Sequence, residues 1–256
     1  MSERDEFDLT SRPAVVTGGG TGIGKAISQT FARCGAPVVV NFCHSRADAE
    51  QTVAEIEQAG GQAKAVKADV TQRDEVEGLF EQATAAFGGV TILVNNAGGP
   101  ASPKLPIVEM TDDHFDDDLN LNLRSAFFCC RAAAAMLPDQ RGRMINISSI
   151  SADSGRGTLG YAAAKAAMNA MTRNLARDLA PRGITVNAIA PGIIDTRIHR
   201  NLTTPENYRA MIDTRVPMKR DGGPDEIAHT ALLLAADAGA YITGQVIHID
   251  GGLVLP

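Results

Sequence analysis

Tyr161 and Lys165 stand four residues apart in Tyr161-Ala162-Ala163-Ala164-Lys165, inside a stretch with helical periodicity. That spacing sets both side chains on one helix face. A free phenol ionises near pH ~10, too high for a good base at neutral pH. A nearby ammonium favours the phenolate, so the pair could give or take a proton. The same Y-x-x-x-K spacing also occurs as an ordinary surface pair, and spacing alone leaves both readings open.

A second segment with chemical potential is Thr17-Gly18-Gly19-Gly20-Thr21-Gly22-Ile23-Gly24-Lys25. Glycine puts no side chain between backbone and phosphate and permits positive φ. A helix starting there would aim free N–H groups at the same point. A pyrophosphate suits such a loop, and so does a plain strand–helix turn. Gly19 to Lys25 also matches the start of a P-loop, but the Ser or Thr that should follow to hold Mg²⁺ is Ala26. G-x-G-x-x-G spacing is absent; what remains is G-x-x-x-G-x-G through Gly18, Gly22 and Gly24.

The elements that must hold these residues alternate regularly. Short apolar runs at Ala14–Thr17, Pro37–Asn41, Ala63–Ala68, Thr91–Asn95, Met144–Ile147, Thr185–Ile189 and Val246–Ile249 read as buried strands. Helical patterns lie between them at Ile23–Cys34, Ala47–Ala59, Arg73–Phe87, Asp112–Leu137, Tyr161–Ala180 and Pro224–Ala236. Strict alternation with apolar strands predicts one doubly wound α/β parallel sheet of about seven strands, helices on both faces. No linker or repeat interrupts it, so residues 1–256 read as a single domain. Gly98–Met110, with three prolines, and Asp195–Gly223 break the alternation. Each follows a strand, so each should lie at the carboxyl edge of the sheet, where ligands bind. The second is long enough to act as a lid. The acidic run Asp112, Asp113, Asp116, Asp117 and Asp118 opens a helix behind Thr111, and reads as a solvated face complementing the helix dipole.

Composition narrows the classes. A net charge of −6 argues against nucleic-acid or membrane-surface binding. No apolar run is long enough to cross a bilayer, and Met1–Pro13 lacks a signal-peptide stretch, so a cytoplasmic location is expected. Cys34, Cys43, Cys129 and Cys130 form no C-x-x-C pair and the five histidines are scattered, so no metal site is assigned.

Thr17-Gly18-x-x-x-Gly22-Ile23-Gly24 resembles the cofactor loop of the short-chain dehydrogenase/reductase family. Further matching motifs follow in order: Asp69-Val70, Asn95-Asn96-Ala97-Gly98, Leu121-Asn122-Leu123, Asn146-Ile147-Ser148-Ser149, Tyr161-x-x-x-Lys165, Pro191-Gly192, Ile242-Thr243-Gly244-Gln245 and Asp250-Gly251-Gly252. The resemblance spans about Arg12 to Leu253. It implies a Rossmann-like fold and hydride transfer between a nicotinamide cofactor and a carbonyl or secondary alcohol. Tyr161 would be the acid in reduction and the base in oxidation. Lys165 would bind the nicotinamide ribose and lower the tyrosine pKa. Ser149 would hydrogen-bond the substrate oxygen, and Asn122 would hold a water leading from Lys165 to solvent. Family members usually place the serine thirteen residues before the tyrosine, where this chain has Ser148; the strand-end pattern favours Ser149, twelve before. Neighbouring strand residues face opposite ways, so only one can serve.

The cofactor set implied is Gly18, Gly20, Thr21, Gly22, Ile23 and Gly24 at the pyrophosphate. Asp69, Val70, Asn95, Ala97 and Gly98 fall near the adenosine, and Pro191, Gly192, Ile194 and Thr196 near the nicotinamide, with Tyr161 and Lys165. NAD-specific relatives carry an acid at the end of the second strand. Here His44, Ser45 and Arg46 stand there instead, suited to a 2′-phosphate, so NADP(H) is favoured over NAD(H). The chain is similar overall to 3-oxoacyl-carrier-protein reductases and to sugar or polyol dehydrogenases. Arg182 matches a carrier-protein docking position, while a second such arginine is Gln140, beside Arg141. Acyl carrier protein is thus one partner implied, and a homotetramer through the alanine-rich long helices is another. A non-catalytic cofactor-binding scaffold is the alternative from a different class, although such proteins usually lack the tyrosine or lysine.

Overall fold

Valine- and isoleucine-rich segments pair into one sheet in which every neighbouring pair is parallel. A computed structural model describes residues 6–196 and 204–254. The strands are β1 (Ala14–Val16), β2 (Val38–Phe42), β3 (Ala63–Lys67), β4 (Ile92–Asn95), β5 (Arg143–Ile147), β6 (Thr185–Pro191) and β7 (Val246–Ile249), in the spatial order β3-β2-β1-β4-β5-β6-β7. The register runs Val15↔Val39 on one side of β1 and Val15↔Leu93 on the other. Winding reverses between β1 and β4, which opens a crevice beyond their carboxyl ends.

Alternate residues of each strand feed opposite cores. On one face Val16, Val40, Val94 and Ile145 pack with Ile27 and Phe31 of α1 (Gly22–Arg33) and Ile227 and Leu234 of α9 (Pro224–Ala235). On the other face Val15, Val39, Leu93 and Met144 meet Leu79 and Phe80 of α3 (Arg73–Phe87), Phe128 of α5 (Ser125–Met136) and Leu179 of α7 (Leu159–Leu179). Each fully buried side chain of this size contributes about 1.5–3 kcal/mol, which makes the sheet a rigid base for its loops. The remaining helices are α2 (Arg46–Gln58), α4 (Asp112–Leu119), the short α6 (Ser151–Ser154) and α8 (Pro205–Arg215). Among the described residues no helix is long and apolar enough to cross a membrane.

Two elements depart from expectation. The segment Asp112–Leu137 is not one helix: a π turn over Asn120–Arg124 separates α4 from α5. The π turn is continuous with both helices, which are capped in helical geometry at Asn120 and Ser125, and such turns often mark functional sites. Asp118 is the second departure: Asp112, Asp113, Asp116 and Asp117 are exposed, but Asp118 is fully buried. Thr111 caps α4 as expected, accepting from the His114 N–H. In the Asp195–Gly223 segment, residues 197–203 lie outside the described residues; α8 follows, capped by Thr204.

Candidate active site

At the crevice, β1 ends in the glycine loop. Gly18 takes φ +59°, and a Cβ on Gly24 would overlap the Gly18 carbonyl and come within 2.5 Å of Asn96 Nδ2. Glycine is required there by close approach, so Gly24 acts behind the loop rather than in the crevice. The loop is pinned from outside: Gly19 N–H donates to Asn41 O and Gly18 N–H to Asn41 Oδ1, while Asn96 Nδ2 donates to the Thr17 and Gly18 carbonyls. Helix α1 starts at Gly22 with no side-chain cap from Thr21, so its first N–H groups are available to an anion.

Two adjoining cavities line this edge. The larger, about 840 Å³, runs past Gly18, Gly20, Thr21, Gly22 and Ile23 to Ser149, Tyr161 and Lys165, and is closed by Pro191, Gly192, Ile194 and Thr196. The second, about 430 Å³, is walled by Phe42, Cys43, His44, Ser45, Asp69 and Val70, with Ala97 and Gly98 shared between the two. Asp69 braces that wall by accepting from the Thr71 N–H and hydroxyl. The bare glycine backbone and this elongated shape fit a dinucleotide, whose pyrophosphate would be held at Gly20–Ile23.

Besides Gly24, two further expected contacts are not brought to the crevice. Asn95 lines neither cavity; its side chain is buried in the sheet, donating to Asn146 Oδ1 and to Cys130 Sγ. Asn96, one residue on, does line the larger cavity. Arg46 also lies outside: its guanidinium pairs with Glu50 at 3.1 Å and covers the Phe42 ring at 5.5 Å. Both misses have one cause, since adjacent residues at a strand end or helix start point in different directions.

The reactive end is assembled from three elements. Helix α7 carries Tyr161 and Lys165, and places the ammonium 5.6 Å from the phenol ring centre. Lys165 Nζ donates to Ile147 O at the end of β5, at 2.7 Å. The two serines divide as their alternation requires. Ser148 turns inward and donates to Asn169 Oδ1 at 2.6 Å. Ser149 faces the cavity, within hydrogen-bonding reach of the Tyr161 hydroxyl and 3.1 Å from Ser151 Oγ. Asn122, in the π turn, spends its amide on backbone: Oδ1 accepts from Gly99 N, and Nδ2 donates to Gly99 O and Asp118 O. A Cβ on Gly98 would lie 2.7 Å from Asn122 Oδ1 and 3.5 Å from Lys165 Nζ. Asn122 therefore fastens the glycine segment that passes beside the lysine.

The electrostatics invert one expectation. Burial lowers the Lys165 pKa to about 7. Burial also raises that of Tyr161, the Ser149 hydrogen bond lowers it, and the charge of Asp118 raises it again. Burial dominates both shifts, and neither group is among the causes of the other's shift. Asp118 is the functional candidate the sequence reading missed. It stands four residues before Asn122, a spacing that puts both on one helix face.

The architecture and this constellation agree with known proteins. Residues 18–254 match the family described as Enoyl-(Acyl carrier protein) reductase. The chain is 41% identical over 250 residues to a 3-oxoacyl-[acyl-carrier-protein] reductase of Synechocystis sp., covering 96% of this chain and 98% of that one. A solved short-chain dehydrogenase/reductase from Serratia marcescens superposes with TM-score 0.88 at 36% identity, covering 96% of this chain and 98% of the other. A blue fluorescent protein from a metagenomic library, in complex with NADPH, gives TM-score 0.89 at 38% identity, covering 97% and 100%. With matches running nearly end to end in both sequence and structure, this chain belongs to the short-chain dehydrogenase/reductase family of oxidoreductases.

Proposed function

We propose that the protein is an NADP(H)-dependent reductase of 3-oxoacyl thioesters. The observation that carries this reading is the convergence of Ser149, Tyr161 and Lys165 at one end of a crevice shaped for a dinucleotide. Its relatives support the substrate class and the phosphorylated cofactor.

The dinucleotide, when bound, supplies the hydride. Tyr161 donates the proton to the substrate oxygen, which Ser149 holds by a hydrogen bond as charge develops. Lys165 would hold the ribose hydroxyls with the N–H groups left over from its bond to Ile147 O. Asn122 positions the Gly98–Gly99 backbone beside that ammonium. Ser45 and His44 would meet the 2′-phosphate; they follow β2 directly, and the carboxylates nearest them in the cavity linings are Asp48 in the first turn of α2 and Asp69 beyond β3.

The described part of the Asp195–Gly223 segment would border the substrate. Its framework is the bridge from Ile194 to Gly222 and the bond from Tyr208 to Asp221. Acyl carrier protein would dock through Arg141, which is exposed. Arg182 is engaged otherwise: it pairs with Asp139 and donates to the Ala134 and Leu137 carbonyls at the end of α5. Exposed Phe127, Met136 and Leu159 on α5 and α7 give a homotetramer its contact faces. A cytoplasmic setting suits the free thiols of Cys129 and Cys130.

The test is consumption of NADPH and of NADH with a panel of 3-oxoacyl thioesters, simple ketones and sugars. Turnover is expected to be fastest with a thioester and NADPH. Tyr161→Phe should lower kcat by on the order of 10²–10⁴-fold. An undiminished rate in that variant would remove Tyr161 as the acid; a sugar outpacing every thioester would remove the substrate assignment.

A further inference from the structure

We propose that Asp118 is a positioning residue for the proton transfer: its buried carboxylate fastens the Ala101–Ser102 loop to the start of α7 and fixes a negative charge against Gly160, the residue before Tyr161. The inference rests on the reading of Tyr161 as the acid.

Five acids open α4, but only Asp118 is buried, at 0% exposure. A carboxylate in that position is costly unless donors surround it. Three do. Oδ1 accepts from Ala101 N–H at 2.7 Å, and Oδ2 accepts from the Ser102 hydroxyl at 2.5 Å and the Thr158 hydroxyl at 2.9 Å. All three groups can donate at once, which suits an ionised carboxylate, since it can only accept. Among the described residues Asp118 makes no ion pair, and the groups that meet its carboxylate are these three dipoles.

The location gives the clamp its consequence. Ser102 belongs to the loop that follows the Gly98–Gly99 segment beside Lys165. Thr158 is the N-cap residue of α7, yet its side chain makes no cap and goes to Asp118 instead. Gly160 passes so close that a Cβ there would lie 2.7 Å from Asp118 Cβ. The next residue is Tyr161. Asp118 thus joins the Ala101–Ser102 loop to the turn of α7 that immediately precedes Tyr161.

Among the described residues, few charged groups surround Tyr161. Lys165 approaches from its own helix and Asp118 from α4. On α6, Asp153 is paired with His248 of β7 at 2.8 Å. Lys104 and Arg156 in the flanking loops are exposed. The ends of β5 and β6 present Ser148, Ser149, Pro191 and Gly192, which carry no charge. The negative charge of Asp118 opposes formation of the phenolate and so keeps Tyr161 in the proton-donating form. That extends the proton-donating form to higher pH, because reduction draws on the phenol and oxidation on the phenolate.

Asp118→Asn removes the charge while preserving shape, and the two hydroxyls can rotate to accept from the new amide. The chain has three tyrosines, so the tyrosinate absorbance of each protein minus that of its Tyr161→Phe counterpart, with NADP⁺ present, titrates Tyr161 alone. The midpoint should fall by about one pH unit in Asp118→Asn. In kinetics, the alkaline limb of 3-oxobutanoyl-thioester reduction and the acid limb of the reverse oxidation should both shift the same way. A purely structural role would change amplitude or KM and leave the midpoint in place. An unmoved midpoint in folded Asp118→Asn overturns the proposal. If that variant does not fold, Ser102→Ala with Thr158→Val keeps the charge and strips its donors. The midpoint should then rise, and one that stays or falls is equally fatal. The two readings fail separately. Full activity in Tyr161→Phe overturns the proton-donor assignment whatever the absorbance shows, whereas an inactive Tyr161→Phe with an unmoved midpoint overturns only the role of Asp118.

Discussion

At the amino edge of the sheet, Arg12 just ahead of β1 and Arg143 at the start of β5 are buried as deeply as any apolar residue in the core. At the carboxyl edge Lys165 is buried almost as deeply. The surroundings differ. Arg12 pairs with Asp237 at 2.8 Å and donates to Arg141 O; Arg143 reaches the same carboxylate at 3.6 Å and donates to Gly142 O. Lys165 has the Ile147 carbonyl and no ion pair among the described residues. Burial, with Arg12 next in effect, brings the Arg143 pKa only down to about 10, so it stays charged at neutral pH. Lys165, brought to about 7 by burial, is poised to be charged or neutral near physiological pH. One edge matches its cations for anchorage; the other leaves its cation unmatched for chemistry.

Lys165→Met should produce the largest change and an inverse one in two measurements. Turnover should fall by at least ~10²-fold, since the group beside the acid is lost. Stability should rise below neutral pH. The folded-state pKa of Lys165 lies below the unfolded value of 10.5. Between about 7 and 10.5 the unfolded chain therefore binds the extra proton, and stability climbs with pH through that window. Below it the full penalty of burying the ammonium is present. Each pKa unit corresponds to ~1.4 kcal/mol, so the methionine variant should gain a few kcal/mol at pH ~6 and lose the climb. Urea denaturation of both proteins across that range decides it: parallel curves would mean that Lys165 is not penalised by burial.

At the other edge the sign reverses. Asp237→Ala leaves two buried guanidiniums without their shared carboxylate. Removing one partner of a fully buried pair costs about 3–5 kcal/mol. Asp237 is itself 63% exposed, and solvent screening brings the expected loss nearer ~2 kcal/mol. Turnover of the protein that remains folded should not change, because the cluster sits across the sheet from the reactive end. A melting temperature equal to the parent's would show that carbonyls alone hold the two arginines.

The sequence made the two edges unequally legible. The strands, the carboxyl-edge crevice and the Tyr161–Lys165 face follow from periodicity, and residue alternation at the end of β5 separates Ser148 from Ser149 once the strand is placed. Arg12, Arg143 and Asp237 carry no local signal. They are far apart in the chain and meet only because β1 and β5 begin at the same edge. Asp118 was misplaced for a different reason. An acid in the early turns of a helix ordinarily faces water, and only the packing of Gly160 against α4 reveals that this one does not. The π turn escaped because it is continuous with α4 and α5 and its residues, Asn120–Arg124, include no glycine or proline to mark a break.

A third cation completes the contrast and is expected to matter least. Arg46 is an exposed residue at the start of α2, paired with Glu50 at i+4 and laid over Phe42. Exposed helical pairs of this kind contribute about 0.3–0.5 kcal/mol, and a guanidinium over a ring adds about 0.5–1 kcal/mol. Arg46→Ala should therefore lower stability by less than ~1 kcal/mol. The sequence suggested a direct bond to the 2′-phosphate, and a charge-assisted contact of that sort is worth about 1.5–3 kcal/mol, or roughly tenfold or more in KM for NADPH. In the structure the guanidinium is committed to Glu50 and lines neither cavity, so the expected change is under about threefold. Comparing KM for NADPH and NADH in the same variant separates the cases. A selective rise of tenfold for NADPH would mean that the side chain leaves Glu50 for the phosphate, making Arg46 the recognition element and Ser45 and His44 its frame.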